Sequence, residues 1–74
     1  MSLLEHYIVD VISVTDVTTE YEKGIRRFEP DYHAEEVIVR VALKEDCYGQ
    51  SELVKKIWRK SEWEKIKEQG FYMA

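Results

Sequence analysis

The side chains that could act in catalysis or bind a metal are few and lie far apart in this 74-residue sequence. Two histidines, His6 and His33, and one cysteine, Cys47, are the strongest metal ligands among them. They show neither an H-x-x-x-H nor a C-x-x-C spacing, and a metal site needs three or four converging ligands. The sequence therefore predicts no metal site and no cofactor.

Nucleophilic catalysis would need a serine, threonine or cysteine that a neighbouring base activates. Cys47 follows two acidic residues, Glu45 and Asp46, which is not the electropositive setting of a reactive thiol. The phosphate-binding patterns G-x-G-x-x-G and G-x-x-x-x-G-K do not occur in the sequence. We therefore expect a protein that is not an enzyme.

A basic run that contains an aromatic residue is the feature most typical of nucleic-acid binding. Its members are Lys55, Lys56, Trp58 and Arg59. Aromatic rings stack on bases while cations contact phosphates, but lysines also protect edge strands from aggregation. The formal net charge of −4 lacks the basic excess that is typical of nucleic-acid-binding proteins. Nucleic-acid binding is therefore the alternative hypothesis, and protein binding is preferred.

The stretch from residue 20 to residue 34 combines the residue types that anchor protein interfaces. It shows no clear periodicity, and long irregular connections in compact domains are often functional. Aromatic residues and arginine are enriched where interfaces are strongest. The predicted partner-binding residues are Tyr21, Ile25, Arg26, Arg27, Phe28 and Tyr32. The competing interpretation is that this connection folds over the sheet and inserts Ile25 and Phe28 into the core.

The alternating apolar residues of Glu35–Leu43 predict the central strand of a small sheet. Val37, Val39, Val41 and Leu43 occur at every second position, which is the period of a β-strand. An earlier strand is predicted over His6–Thr15, and its β-branched residues extend the prediction to about Tyr21. Both strands carry apolar residues on both faces.

The end of the sequence predicts a hairpin, a third strand and a helix. Gly49 marks a turn, and Glu52–Lys60 fits either a strand or a helix, with the strand preferred because it follows the hairpin. Ser61–Gln69 predicts a helix with Ser61 as its N-cap, Glu64 completing a capping box, and Gly70 as its stop. We expect Trp63 and Ile66 to face the core, with Phe71 folded back beneath them.

These patterns predict a single domain over residues 1–74 of the α+β class. The expected fold is a small antiparallel sheet of three to four strands with one short C-terminal helix packed on one face. One short helix covers only part of one sheet face, so the remaining apolar residues predict a homodimer. The N-terminus lacks the basic start of a signal peptide and no apolar run is long enough to cross a membrane, so we expect a cytoplasmic location.

The last third of the chain, KIWRKSEWEKIKEQGFYMA, resembles the C-termini of small phage and prophage proteins of Gram-positive bacteria. The residues that carry the resemblance are Trp58, Ser61, Glu62, Trp63, Glu64, Gly70, Phe71 and Tyr72, preceded by Asp46, Cys47, Tyr48 and Gly49. The resemblance implies an accessory protein of a mobile element that binds and inhibits a host protein, including components of antiviral defence. It assigns no functional residue.

Overall fold

The computed structural model describes residues 3–74 as four antiparallel strands and two helices. The elements are β1 (Glu5–Asp16), α1 (Thr18–Ile25), β2 (Ile38–Cys47), β3 (Gln50–Arg59), α2 (Lys60–Gln69) and β4 (Phe71–Met73). The strand order in the sheet is β3-β2-β1-β4. The predicted α+β class is confirmed, with two helices where the sequence predicts one.

Strand β2 is an inner strand of the sheet, as its alternating pattern predicts. Val39, Val41 and Leu43 are buried on the face that α2 covers. Val37, the first residue of the predicted apolar series, precedes the strand and is exposed. On the opposite face Arg40 and Lys44 are exposed. The burial of this strand is therefore complete on one face only.

Helix α2 closes the core over the β2 face. Trp63 and Ile66 are its buried residues, as predicted, and Gly70 ends the helix with a left-handed φ of 87°. The buried core cluster consists of Val39, Val41, Leu43, Trp63, Ile66 and Tyr72. Phe71 does not fold back beneath the helix; it begins β4, which pairs with the first residues of β1. Tyr72, its neighbour, takes the core position.

The prediction that Ser61 caps α2 is wrong. The N-cap residue is Arg59, and no side chain of the capping residue bonds the first turn of α2. The backbone N–H of Ser61 instead donates to Glu36 Oε1 at 2.8 Å, and that of Lys60 donates to the Val37 carbonyl at 2.8 Å. The chain entering β2 therefore satisfies two of the free donors that every helix start exposes.

The predicted extension of the first strand to Tyr21 is also wrong, because the chain turns into α1 at Thr18. Asp16 Oδ1 accepts the backbone N–H of Thr18 at 2.9 Å and its hydroxyl at 2.6 Å. The Glu22 carboxylate lies 3.5 Å from the Arg26 guanidinium, one helical turn later. These local interactions favour a helix more strongly than the β-branched residues favour a strand.

The hairpin and the third strand agree with the predicted order of elements. Tyr48 and Gly49 have positive φ angles of 51° and 78°, the conformation of a two-residue turn between twisted strands. Residues 50–59 form β3, so the segment Glu52–Lys60, which fits either a strand or a helix by sequence, is mostly a strand. Neither helix within residues 3–74 has the length and apolar content that a membrane crossing requires.

Glu36→Ala should lower the midpoint of urea unfolding more than Ser61→Ala does. Glu36 accepts a backbone donor of the first turn of α2, and the Ser61 N–H and then the Ser61 side chain hold the pKa of Glu36 below its usual value. Ser61→Ala leaves the backbone donor and its acceptor in place. Glu35→Ala removes the same charge one residue earlier and is the matched control. A larger loss from Ser61→Ala would contradict this capping arrangement.

Candidate functional site

The predicted partner-binding stretch ends in a compact turn that presents Phe28 to solvent. We name residues 26–32 the Phe28 turn. The Phe28 side chain is 87% exposed, the highest value among the large hydrophobic residues of the described chain. Backbone hydrogen bonds join Phe28 N and Glu29 N to the Ile25 carbonyl at 2.9 Å, and Tyr32 N to the Glu29 carbonyl at 3.0 Å. The turn is therefore regular, although it carries an unburied aromatic ring.

Side chains from α1 and from the first residue of the turn hold the base of the Phe28 turn. Arg26 Nε donates to the Tyr32 carbonyl at 2.9 Å, and Glu22 Oε2 accepts the backbone N–H of Ala34 at 2.9 Å. The rings of Tyr21 and Tyr32 meet edge to face with their centroids 6.3 Å apart. These contacts join the two ends of the turn to each other and tie the chain that leaves it to α1.

The six predicted partner-binding residues therefore divide into two groups. Arg27 and Phe28 are exposed, and Tyr21 is at the edge of exposure. Ile25, Arg26 and Tyr32 are partly buried and take part in holding the turn. The competing interpretation, in which Phe28 plugs the core, does not agree with its exposure.

The structure separates the four residues of the predicted nucleic-acid surface. In β3, Lys56 and Trp58 lie on the face that α2 covers, whereas Lys55 and Arg59 lie on the opposite face. The Trp58 ring stacks on Trp63 with centroids 5.7 Å apart and planes 4° apart. Trp58 also meets Tyr72 edge to face at 5.0 Å. Its ring is occupied within the protein, so it is not a platform for bases.

A different basic surface forms on the face opposite α2. Cross-strand partners share one side of a sheet, and the register of β2 with β3 pairs Ile38 with Arg59, Arg40 with Ile57, Ala42 with Lys55, and Lys44 with Leu53. We name Arg40, Lys44, Lys55 and Arg59 the basic face. Within residues 3–74, ion pairs at up to 4.0 Å involve only one of these four, Arg59 with Glu62.

A buried carboxylate joins three strands at the other end of the core. Glu45 is 4% exposed, and its two oxygens contact the Tyr72 hydroxyl and His6 Nδ1. The imidazole of His6 stacks on the Tyr72 ring with centroids 4.9 Å apart. Lys56 Nζ lies 5.5 Å from the centre of the same ring. We name His6, Glu45, Lys56 and Tyr72 the Glu45 cluster.

The neighbours of Glu45 favour its charged form. Burial alone would raise the pKa of Glu45, but the hydrogen bonds from Tyr72 and His6 and the positive charges nearby hold it below its usual value. Burial, the hydrogen bond to Glu45 and its charge together raise the pKa of Tyr72. Both Glu45 oxygens are engaged, and their two partners come from β1 and β4. This geometry links three strands through one side chain.

The remaining depressions are shallow and belong to the surface. One of about 450 Å³ lies between Leu3, Tyr7, Tyr48 and Met73 and is open to solvent.

Among the buried side-chain oxygens of residues 3–74, Asp46 Oδ1 has no hydrogen-bond partner. No group of three or more histidine, cysteine or acidic side chains converges as metal ligands within residues 3–74.

Neither the Glu45 cluster nor the basic face is among the sites that the sequence predicts. His6 and Tyr72 lie 39 and 27 residues away from Glu45 along the chain, so no local spacing brings them together. The basic face combines two residues of β2 with two of β3. The period of two in each strand is the sequence signal that could have placed these residues on one face. Comparison with protein-family models, with curated proteins and with solved structures finds no match.

Acidification should reduce the stability difference between the wild type and Glu45→Gln. The folded-state pKa of Glu45 is lowered, so its stabilising effect is present above the ordinary glutamate pKa of about 4.3 and is lost as the pH falls through the folded-state value. Urea unfolding at neutral and acidic pH measures both proteins. Glu68→Gln, at an exposed position of α2, is the control. A difference that stays constant with pH would rule out a charged Glu45 as the stabilising form.

Proposed function

We propose that this protein is a non-enzymatic protein-binding module and that the Phe28 turn is its contact surface. The observation that carries the proposal is the 87% exposure of Phe28 on a turn whose ends are fixed by hydrogen bonds. Burying a phenylalanine side chain yields about 1.5–3 kcal/mol, and within this chain Phe28 contributes little of that energy.

The fixed geometry of the turn favours binding. Association is weakened by the entropy lost when side chains and loops become ordered, so an ordered turn that presents an anchor residue binds with less loss. Aromatic and arginine residues dominate the strongest positions of interfaces. Phe28 and the exposed Arg27 supply both types side by side. The expected partner surface has an apolar pocket beside an acidic group.

The resemblance of the last third of the chain to phage and prophage proteins supports a host protein as the partner. Under this proposal the module inhibits a protein of a Gram-positive bacterium, such as a component of antiviral defence. The resembling residues lie mostly in β3, α2 and β4, which form the scaffold rather than the Phe28 turn. The scaffold would then be the shared part, and the turn would determine which protein is bound.

Phe28→Ala should abolish partner capture while leaving the unfolding free energy within about 0.5 kcal/mol of wild type, as exposed substitutions usually do. Crosslinking of the tagged protein in a Gram-positive lysate, followed by quantitative mass spectrometry, measures capture. Tyr48→Ala is the matched control, because Tyr48 is 84% exposed on the β2–β3 turn. Proteins that bind wild type and Tyr48→Ala but not Phe28→Ala are specific partners.

Two results would contradict the proposal. One is capture of the same proteins by wild type and Phe28→Ala in equal amounts. The other is loss of folding in Phe28→Ala, measured by circular dichroism, because it would make Phe28 part of the core.

The basic face supports a second candidate function, the binding of single-stranded nucleic acid. Arg40, Lys44 and Lys55 have no carboxylate within 4.0 Å among residues 3–74, so their charges are available to phosphates. Leu53 and Ile57 lie between them and offer apolar contact to bases. This surface replaces the predicted set that included Trp58.

Under this second candidate, Lys55→Glu should weaken binding of a labelled single-stranded oligonucleotide, measured by fluorescence anisotropy at several salt concentrations. Each phosphate contact contributes about −0.7 to the slope of log affinity against log salt, so the slope should become less steep. Lys65→Glu makes the same charge change on the exposed side of α2 and is the control. Equal effects of both variants would indicate net charge alone and exclude the basic face.

A further inference from the structure

The outer edge of β1 is open along most of its length. The short strand β4 pairs only with Glu5, His6 and Tyr7, and the Ile8 N–H donates to the Gly70 carbonyl at 2.9 Å. From Val9 to Asp16 no strand within residues 3–74 lies on this side of β1. The outward N–H and C=O groups of this segment are therefore available to another strand.

The same segment exposes large apolar side chains. Val9, Val11, Ile12 and Val14 are between 39% and 57% exposed. Val11 and Val14 lie beside Leu43 and Val41 on the face that carries α2, and these two partners are fully buried. The valines thus continue the core of the sheet beyond the reach of the helix.

The two edges of the sheet differ in how they are protected. β3, at the opposite edge, carries Lys55 and Lys56, and lysine is a common device against pairing with another chain. Residues 9–16 of β1 contain neither lysine nor proline. Its two register shifts lie beside Val9 and Ile12. Such shifts bend an edge away from unrelated strands, whereas a second copy has the same shifts and therefore the same local bend.

The overall dimensions show that the single chain leaves an unusual amount of surface uncovered. Its radius of gyration is 13.9 Å, against about 11 Å for a compact domain of this length. Its accessible surface is 5698 Å², against about 4800 Å² for a monomer of this mass. The excess of roughly 900 Å² is close to the ~800 Å² per partner that a standard interface buries.

We infer that β1 pairs with β1 of a second copy of this chain, antiparallel and about a two-fold axis between Ile12 and Ser13. The pairing would join two four-stranded sheets into one continuous sheet. It uses a surface separate from the Phe28 turn, so it stands independently of the proposed function. A two-fold pairing needs no other protein, because one open edge serves both copies.

The sequence of β1 is self-complementary in this register. Val11 lies opposite Val14 of the second copy, and both face the side that carries α2. Asp10 lies opposite Thr15 of the second copy. Within its own chain, Asp10 pairs with Lys44 of β2. The Asp16 carboxylate is held by Thr18 of its own chain. No two carboxylates face each other across the axis, although the free edge contains two aspartates and no cation.

The register also matches side-chain direction along the strand. Val11 and Val14 are on the helix side, whereas Asp10, Ser13 and Thr15 are on the opposite side, as their partners in β2 show. A shift of one residue would place Val11 opposite Ser13 or Thr15 of the second copy, which face the other way. The side-chain directions of the strand therefore exclude a shift of one residue.

Size-exclusion chromatography with light scattering should give twice the chain mass of 8.9 kDa over a wide concentration range. The double variant Val11→Lys, Val14→Lys should elute with the mass of one chain, because four lysines would meet at the axis. The double variant Leu53→Lys, Ile57→Lys makes the same change at exposed positions of β3 and should retain the dimer mass. Circular dichroism verifies the folding of each variant.

Disulfide crosslinking tests the register without adding charge. In a Cys47→Ser background, Val11→Cys and Val14→Cys chains are mixed and mildly oxidised. The mixture should form crosslinked dimers, since directly opposite residues lie within disulfide range. Either variant alone should crosslink weakly, because its two copies are offset by three residues, or about 10 Å.

A single-chain mass for the wild type at all concentrations would overturn the inference. Equal crosslinking of the mixture and of each variant alone would overturn the register. If the Leu53→Lys, Ile57→Lys variant is monomeric while the Val11→Lys, Val14→Lys variant remains a dimer, the interface lies at the β3 edge and not at β1.

Discussion

The structure depends on the packing of one short helix against one inner strand. Trp63 and Ile66 of α2 lie over Val39, Val41 and Leu43 of β2, and this contact provides most of the buried core. A helix of ten residues cannot cover a four-stranded sheet. The sheet is therefore buried most completely where α2 lies over it, and the Phe28 turn, the basic face and the outer edge of β1 all lie outside the area that α2 covers.

The Glu45 cluster determines how the last strand joins this core. A buried carboxylate without partners would destabilise the fold, because leaving a polar group unpaired in the interior costs more than its hydrogen bonds return. Here His6 of β1 and Tyr72 of β4 supply both donors, so three strands meet at one charged group. These side-chain contacts add to the backbone pairing of the three-residue β4 with β1. Tyr72, and not Phe71, is the β4 residue that lies buried beside the carboxylate.

The elements that the sequence predicts well are those whose signal is local. The period of two in β2, the Gly49 turn and the Gly70 stop each depend on a few neighbouring residues, and all three agree with the structure. The cap of α2 does not, because Glu36 reaches Ser61 across 25 positions of the chain. Helix α1 was obscured by β-branched residues, although Asp16, the following threonines and Glu20 form a typical helix start. Among the predicted partner-binding residues, Phe28 is exposed, and this agrees with the interface interpretation rather than with the core interpretation that the sequence left open. The period of two in a strand sends Lys55 and Lys56 to opposite faces, but which of these faces α2 covers depends on contacts that are distant in sequence.

The uneven coverage of the sheet connects architecture to association. A chain of this length buries too little surface to be strongly stable alone, so a partner that covers the rest adds stability as well as function. The β1 edge and the Phe28 turn lie on different elements, and their chemistry differs. The edge offers backbone hydrogen bonds and valines that complement a copy of themselves, whereas the turn offers one rigid ring that has no complement in this chain. An assembly in which β1 joins two copies would therefore leave both Phe28 turns free, and a partner with two matching sites at the right spacing would bind more tightly through both turns than through one.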